Sequence, residues 1–256
     1  MPLTDSQMMR YERNMRIRQI GEIGQKKLLN ARVLVIGVGG LGSPAILYLA
    51  AAGIGTLGIA DGDAVDLSNL QRQIIHGTPD TGRFKTESAR ERVERLNPDV
   101  KVVAYPDRIG PDNISGIVAG YDFALDCSDN LATKLLINDA CVLLKKPFCY
   151  GGALALHGQS LTYSPGHACL RCAVDIPVHP NAVPTSREVG ILGATAGVVG
   201  AIQAGEAIKF LAGAGRLLTD TLLHVDMLLS EYRTEHVKRD RKCPVCGQHP
   251  NITRLG

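Results

Sequence analysis

The feature that most constrains this chain is the run Val33-Leu34-Val35-Ile36-Gly37-Val38-Gly39-Gly40-Leu41-Gly42, an apolar stretch that breaks into glycines and leads directly into a helical pattern from Ser43 to Ala52. It reads as strand, tight turn and helix. Gly37, Gly39 and Gly42 satisfy G-x-G-x-x-G: the first permits the turn, the second lets backbone approach a phosphate, and the third lets helix pack on strand. The N–H groups that open the helix, together with its dipole, favour an anion there. Leu57 to Asp61 reads as a second strand ending in an acid, where such folds hold a ribose. A nucleotide site follows, but not which nucleotide.

A chain of 256 residues that is 45% apolar can bury one substantial α/β core with a small appendage. With 28 Lys+Arg against 25 Asp+Glu, the net charge of +3 gives no reason to expect nucleic acid or a membrane surface as partner. No apolar run reaches the ~20 residues of a membrane span. The opening Met1-Pro2-Leu3-Thr4-Asp5-Ser6-Gln7 lacks the basic and apolar regions of a secretory signal, so a cytoplasmic location is expected. In that compartment the two C-x-x-C pairs are better read as metal ligands than as disulfides.

The pattern is helical from Ser6 to Asn30. After the glycine turn and the second strand, a helix is expected from Arg83-Phe84-Lys85 to Leu96, a strand over 100–105 and a short helix over 112–119. Asp122 to Asp126 reads as a buried strand, with a helix following to about Leu144. Pro147 to Gly152 reads as the last parallel strand, Gly158 to Tyr163 as antiparallel, and 221–226 and 231–237 as two closing strands. Cys243 to Gly247 is expected to end the ordered part. The fold class is therefore α/β: a Rossmann-like, mainly parallel sheet flanked by helices, with antiparallel C-terminal strands. One domain, 1–256, divides into N-terminal helices (1–30), a nucleotide-binding part (31–152) and a zinc-bearing part (153–256). The segment from Cys169 to Glu188 carries prolines and little pattern, and reads as a long surface loop. The Ala-, Gly- and Val-rich stretch from Gly193 to Leu211 reads as a closely buried helix, with a dimer seam as the alternative.

Two groups of residues carry chemistry. Cys169, Cys172, Cys243 and Cys246 suit a closed tetrahedral zinc site, against two unrelated pairs or a redox motif. Cys127, Cys141 and Cys149 lie in apolar runs and are expected in the core. The second group lies at successive strand ends: Asp61 and Asp63, then Asn69, Arg72 and Lys85, then Asp129 and Asn130. A hydride-transfer enzyme has little use for several cations and a further acid near phosphates. Phosphoryl or adenylyl transfer needs both, cations for the phosphate oxygens and a carboxylate for Mg²⁺. The P-loop pattern G-x-x-x-x-G-K-[ST] is absent. His76, His157, His167 and His224 show no metal spacing and read as structural or surface residues.

The combination of Gly37-x-Gly-Gly-Leu-Gly42, Asp61-x-Asp63, Ser68-Asn69-Leu70-Gln71-Arg72-Gln73, Lys85, Asp126-Cys127-Ser128-Asp129-Asn130 and both cysteine pairs resembles the MoeB/ThiF/HesA family, bacterial relatives of ubiquitin-activating enzymes. The resemblance runs from Arg10-Tyr11 to Gly247. It implies a homodimer that binds ATP and Mg²⁺, adenylates the C-terminal glycine of a Gly-Gly-ended ubiquitin-like sulfur carrier and releases pyrophosphate, in thiamin, molybdopterin or related sulfur-transfer biosynthesis. The alternative within the same fold is activation of a peptide or small carboxylate; a nicotinamide-dependent oxidoreductase rests on the glycine turn alone. The resemblance further implies that Gly37, Gly39, Gly40 and Gly42 surround the nucleotide, with Gly39 against it and Asp61 on the ribose. Asn69, Arg72 and Lys85 are expected to face the triphosphate, with Asp129 at the magnesium; Asp63, Gln73 and Asn130 complete the nucleotide-binding set. Arg13 matches the arginine that the family supplies across the dimer. The catalytic set is thus Arg13, Arg72, Lys85 and Asp129. One departure stands out: where many relatives carry a cysteine before the buried helix, this chain has Thr185-Ser186-Arg187-Glu188. Adenylation without a covalent enzyme–carrier adduct is expected there. As no rhodanese-like segment follows Gly256, sulfur is expected from a separate donor protein.

Overall fold

A computed structural model describes residues 2–174 and 185–255 of the chain. Helix α1 (Asp5–Met15) starts at Thr4, whose hydroxyl and the Gln7 side chain close a reciprocal cap. The helical pattern expected through Asn30 is broken: residues 16–20 turn, Gly21 takes a left-handed φ of 57°, and α2 runs over Gly21–Asn30. The chain then alternates β1 (Arg32–Ile36), α3 (Gly42–Ala52), β2 (Thr56–Ala60), α4 (Lys85–Leu96), β3 (Lys101–Tyr105), α5 (Pro111–Ala119), β4 (Phe123–Asp126), α6 (Leu131–Leu143) and β5 (Phe148–Leu154). It closes with β6 (His157–Tyr163), α7 (Leu170–Ala173), α8 (Ser186–Val189), α9 (Gly193–Ala212), β7 (Thr221–Asp226) and β8 (Glu231–His236).

One sheet takes the order β3-β2-β1-β4-β5-β6-β7-β8. Pairings from β3 to β5 are parallel and those from β5 to β8 antiparallel, as the strand patterns predict. The parallel strands read as continuous apolar runs because helices cover both faces. On one face, Val33, Val35, Leu57, Ile59 and Leu125 pack with α3, α4 and α9. On the other, Leu34, Ile36 and Ala124 pack with α5, α6 and the cysteine knuckles. Helix α9 lies on α2, α3 and strands β4 to β6, with Ala196, Gly200, Ala204 and Ala207 buried in the core and Gly197, Ala201 and Gly205 less buried on its outer side.

The order reverses between β1 and β4, and the crevice beyond the carboxyl ends of these two strands is where open α/β sheets bind ligands. The loop expected from Cys169 to Glu188 lies partly outside the described residues; its described ends form α7 and α8. Order does not stop at Gly247. Ile252 N–H donates to Pro244 O at 2.9 Å, and Ile252 and Leu255 cover the knuckle-side core. Among the described residues no helix is long and apolar enough to cross a membrane.

Candidate active site

The glycine turn is built as its spacing predicts. Gly37 has φ 99°, and a Cβ there would lie 2.5 Å from Cys127 O, so the turn and the β4 end pack backbone to backbone. A Cβ on Gly42 would lie 2.0 Å from Gly37 O, which is the close helix–strand approach. Among the described residues a Cβ on Gly39 would meet only Gln73 Nε2, at 3.5 Å, so the turn leaves room for a ligand on that side.

Above the turn opens a cavity of about 850 Å³. Gly37, Gly39, Gly40, Asp61, Asp63, Arg72, Gln73, Lys85, Asp129 and Asn130 all line it. Gly42 lies beneath the turn, and neither Asn69 nor Arg13 is among the lining residues. Arg13 is exposed on α1.

Asp61 caps the turn from β2: its Oδ2 accepts from Val38 N–H at 2.8 Å and its Oδ1 from Asp63 N–H at 2.9 Å. Burial pushes the Asp61 carboxyl above its ordinary range, with Lys85 and the two backbone donors opposing that shift. Lys85, itself buried, reaches Asp63 at 3.1 Å and Asp61 at 3.8 Å. Arg72 donates to Ser68 O at 3.2 Å and lays its stem along Gly40. Gln73 is buried and its Oε1 has no hydrogen-bond partner among the described residues, an open acceptor beside the turn. Asn130 Oδ1 caps α6 through Thr133 N–H at 2.9 Å, and its Nδ2 lies 3.4 Å from the exposed Asp129 carboxylate. The cavity thus sets Arg72 and Lys85, an anion-accepting turn and the exposed Asp129 carboxylate around the same space. Such a set can hold a polyphosphate with a divalent cation.

The four knuckle cysteines come together on the opposite face. Sγ separations are 4.0 Å for Cys169–Cys172, 3.7 Å for Cys169–Cys243 and 3.5 Å for Cys172–Cys246, and all four lie within 4.8 Å of one another. A tetrahedral zinc with ~2.3 Å bonds places its sulfurs ~3.8 Å apart, so these residues fit that ion. Asp240 N–H points at Cys172 Sγ at 3.5 Å. Arg171 ties α7 to Asp139 of α6 through two 2.7 Å hydrogen bonds, fixing the knuckle on the fold. Cys127, Cys141 and Cys149 are buried as expected, and burial pushes all three thiols up.

The ThiF family profile matches residues 11–245. The chain belongs to the ThiF family. It is 41% identical over 258 residues to the sulfur carrier protein adenylyltransferase of Thermus thermophilus, with 98% of this chain and 95% of that protein covered. It is also 43% identical over 256 residues to the adenylyltransferase and sulfurtransferase MOCS3 of Drosophila virilis, covering 99% of this chain but 57% of that protein. The chain thus spans little more than half the length of this second relative. Among solved structures, E. coli MccB with ATP superposes with a TM-score of 0.80 at 24% identity, covering 93% of this chain and 74% of that one, a likeness of fold.

Within this ThiF-family site the sequence reading missed several residues. Lys134 is 9% exposed, donates to Gly151 O at 2.6 Å, lies 3.4 Å from Asp126 and sits 5.1 Å from the Tyr150 ring centroid. A lone lysine in the first turn of the apolar α6 was the available signal. Asp126, fully buried, accepts from Ser128 N–H at 3.1 Å and Ser128 Oγ at 2.6 Å, and so holds the loop that carries Asp129. Arg108 lines the near rim, 3.6 Å from Asp63. At the far end, His157, Gln159, His224, Asp226, Glu231 and Arg233 share one face of β6, β7 and β8 by their register and line the cavity. Strand pairing, which no spacing in the sequence encodes, brings this face to the same cavity as the glycine turn.

Proposed function

We propose that this chain adenylates the C-terminal glycine of a ubiquitin-like sulfur carrier, transferring AMP from ATP and releasing pyrophosphate. The observation that carries this reading is the convergence of Arg72, Lys85 and Asp129 on the cavity above the glycine turn. The name of the Thermus thermophilus relative, nearly all of which the chain covers, supports the substrate class.

The reaction joins two anions. A carboxylate oxygen of the carrier attacks the α-phosphorus, the bond to the β-phosphate bridging oxygen breaks, and pyrophosphate leaves with the electron pair. Charge gathers on phosphate oxygens in the transition state, where fixed donors in a partly dry site are worth several kcal/mol. Lys85 and Arg72 supply the opposing positive charge, and the free N–H groups of the turn bind phosphate oxygen. Asp61 receives the ribose, and Gln73 offers its open acceptor. Asp129, with Asn130 beside it, would hold Mg²⁺, which neutralises the triphosphate when bound. The carrier's tail enters along the β6–β8 face. No protein nucleophile is required, and Ser186, which lines the cavity, offers a hydroxyl where a thiolate would be needed for a covalent adduct. The chain acts as a homodimer in which Arg13 of each subunit serves the other's site, and sulfur comes from a separate donor protein. Zinc in the four-cysteine site is structural, and the work is done in the cytoplasm.

The test is ATP–pyrophosphate exchange with carriers ending in Gly-Gly and, in parallel, with free peptides and small carboxylates. Exchange stimulated by a carrier is expected; exchange stimulated only by a small acid moves the substrate to that class.

A further inference from the structure

Val38 stands between the first two glycines of the turn, and side chains from two other segments grip its peptide groups. Its N–H donates to Asp61 Oδ2 at 2.8 Å, and its C=O lies 3.1 Å from Nε2 of His76. A carbonyl oxygen only accepts, so Nε2 carries the proton; Nδ1 lies 2.8 Å from Ser88 Oγ on α4, a hydroxyl that also hydrogen-bonds Asp80. His76 is buried, and Ser88 is buried beneath it. Gly39 O is held as well, by Ser43 N–H at 2.9 Å and Ser43 Oγ at 2.6 Å. With the carbonyls of Val38 and Gly39 both turned inward, the N–H groups of Gly39, Gly40 and Leu41 make no hydrogen bond among the described residues.

We propose that His76 is a positioning residue for nucleotide binding: its Nε2–H pins the Val38 carbonyl inward, so that the unbonded N–H groups of the glycine turn face the triphosphate. This rests on the reading of the turn as the nucleotide site. The imidazole suits the task as a neutral group. Burial, the largest influence, holds its ionisation below the ordinary histidine range, with Lys85 acting the same way and the Val38 carbonyl, Asp80 and Asp61 opposing. A neutral ring with one donor and one acceptor fixes a single orientation, whereas a serine or lysine in its place could rotate away.

Two substitutions separate the roles of the ring nitrogens. In His76→Gln the amide nitrogen reaches the place of Nε2, and in His76→Asn it reaches only that of Nδ1. ATP affinity measured by calorimetry is expected to fall about tenfold in H76N, the loss of one hydrogen bond, and to stay within about threefold of wild type in H76Q. The exchange rate at saturating ATP should change less than about twofold in both, a split that general destabilisation would not give. Wild-type ATP binding with equal affinities in the two variants overturns the role of His76 alone. Absence of ATP binding in the wild type removes the nucleotide reading and this inference together. Should either variant fail to fold, ¹⁵N NMR of the wild type decides. An Nε2–H tautomer whose proton shifts when ATP is added supports the role; an Nδ1–H tautomer, or one indifferent to ATP, overturns it.

Discussion

Lys85 Nζ lies 3.1 Å from Asp63 Oδ2, and the same two residues are joined through the backbone, where Lys85 N–H donates to Asp63 O at 3.0 Å. The loop between β2 and α4 is thereby closed at its two ends, and the ammonium is carried to the cavity wall already oriented. Lys85→Met is expected to lower carrier-stimulated pyrophosphate exchange by a factor of about 100 or more, the usual cost of one preorganised charge at such a site. It also leaves the buried Asp61 without its cation, so thermal unfolding should begin a few degrees lower. Exchange assays and calorimetry on the same preparation check both.

Asp129 presents the opposite case. Its carboxylate is exposed and, among the described residues, meets only the Asn130 amide, at 3.4 Å. Asp129→Ala should therefore leave the melting temperature within about 1–2 °C of wild type while abolishing Mg²⁺-dependent exchange. An active D129A enzyme would remove the assigned cation ligand.

The four cysteines hold α7 and the C-terminal knuckle against α6. Cys172→Ser should release bound zinc, read by elemental analysis as a fall from about one ion per chain, and lower the melting temperature by roughly 10 °C on the scale of a lost structural metal. A zinc-free protein with unchanged melting would discard the metal assignment.

The parallel half of the fold is legible in the sequence because each strand there is a short apolar run punctuated by glycine or by a polar cluster at its carboxyl end. Gly37, Asp61 and Asp129 mark three such ends and meet at one cavity. What the sequence hides depends on contacts between distant segments. Lys134 becomes part of the wall only because Gly151 O lies 2.6 Å away on β5, and His157 and Arg233 join it through the register of β6, β7 and β8. The break after Met15 was hidden for a different reason: residues 16–20 keep a helix-compatible composition, and the left-handed Gly21 turns the chain.

Asp61 gives a pH dependence with a definite sign. Burial raises its folded ionisation above the ordinary value of 3.8, so the folded state keeps the proton longer than the unfolded chain. The stability this contributes is present in full below the unfolded value and is lost as pH rises through the folded one. Asp61→Asn removes that dependence. The wild-type melting temperature minus that of D61N should decrease as pH is raised from about 3.5 to 6.5. A difference that grows over this window would mean that the backbone donors and Lys85 outweigh burial.

Arg13 lies on the exposed side of α1, outside the residues that line the cavity, although the family resemblance assigns it to the triphosphate. A two-fold dimer reconciles these facts if each α1 reaches the neighbouring subunit's site. The arrangement can be tested by mixing two inactive proteins, Arg13→Ala and Asp129→Ala, under conditions that exchange subunits. In a mixed dimer, the site that retains Asp129 receives its arginine from the D129A subunit and is intact, while the other site lacks both groups. With random pairing, half the dimers are mixed and half of their sites are restored, so exchange should return to about a quarter of the wild-type level. If Arg13 serves its own chain, no site in any dimer has both residues and the mixture stays inactive.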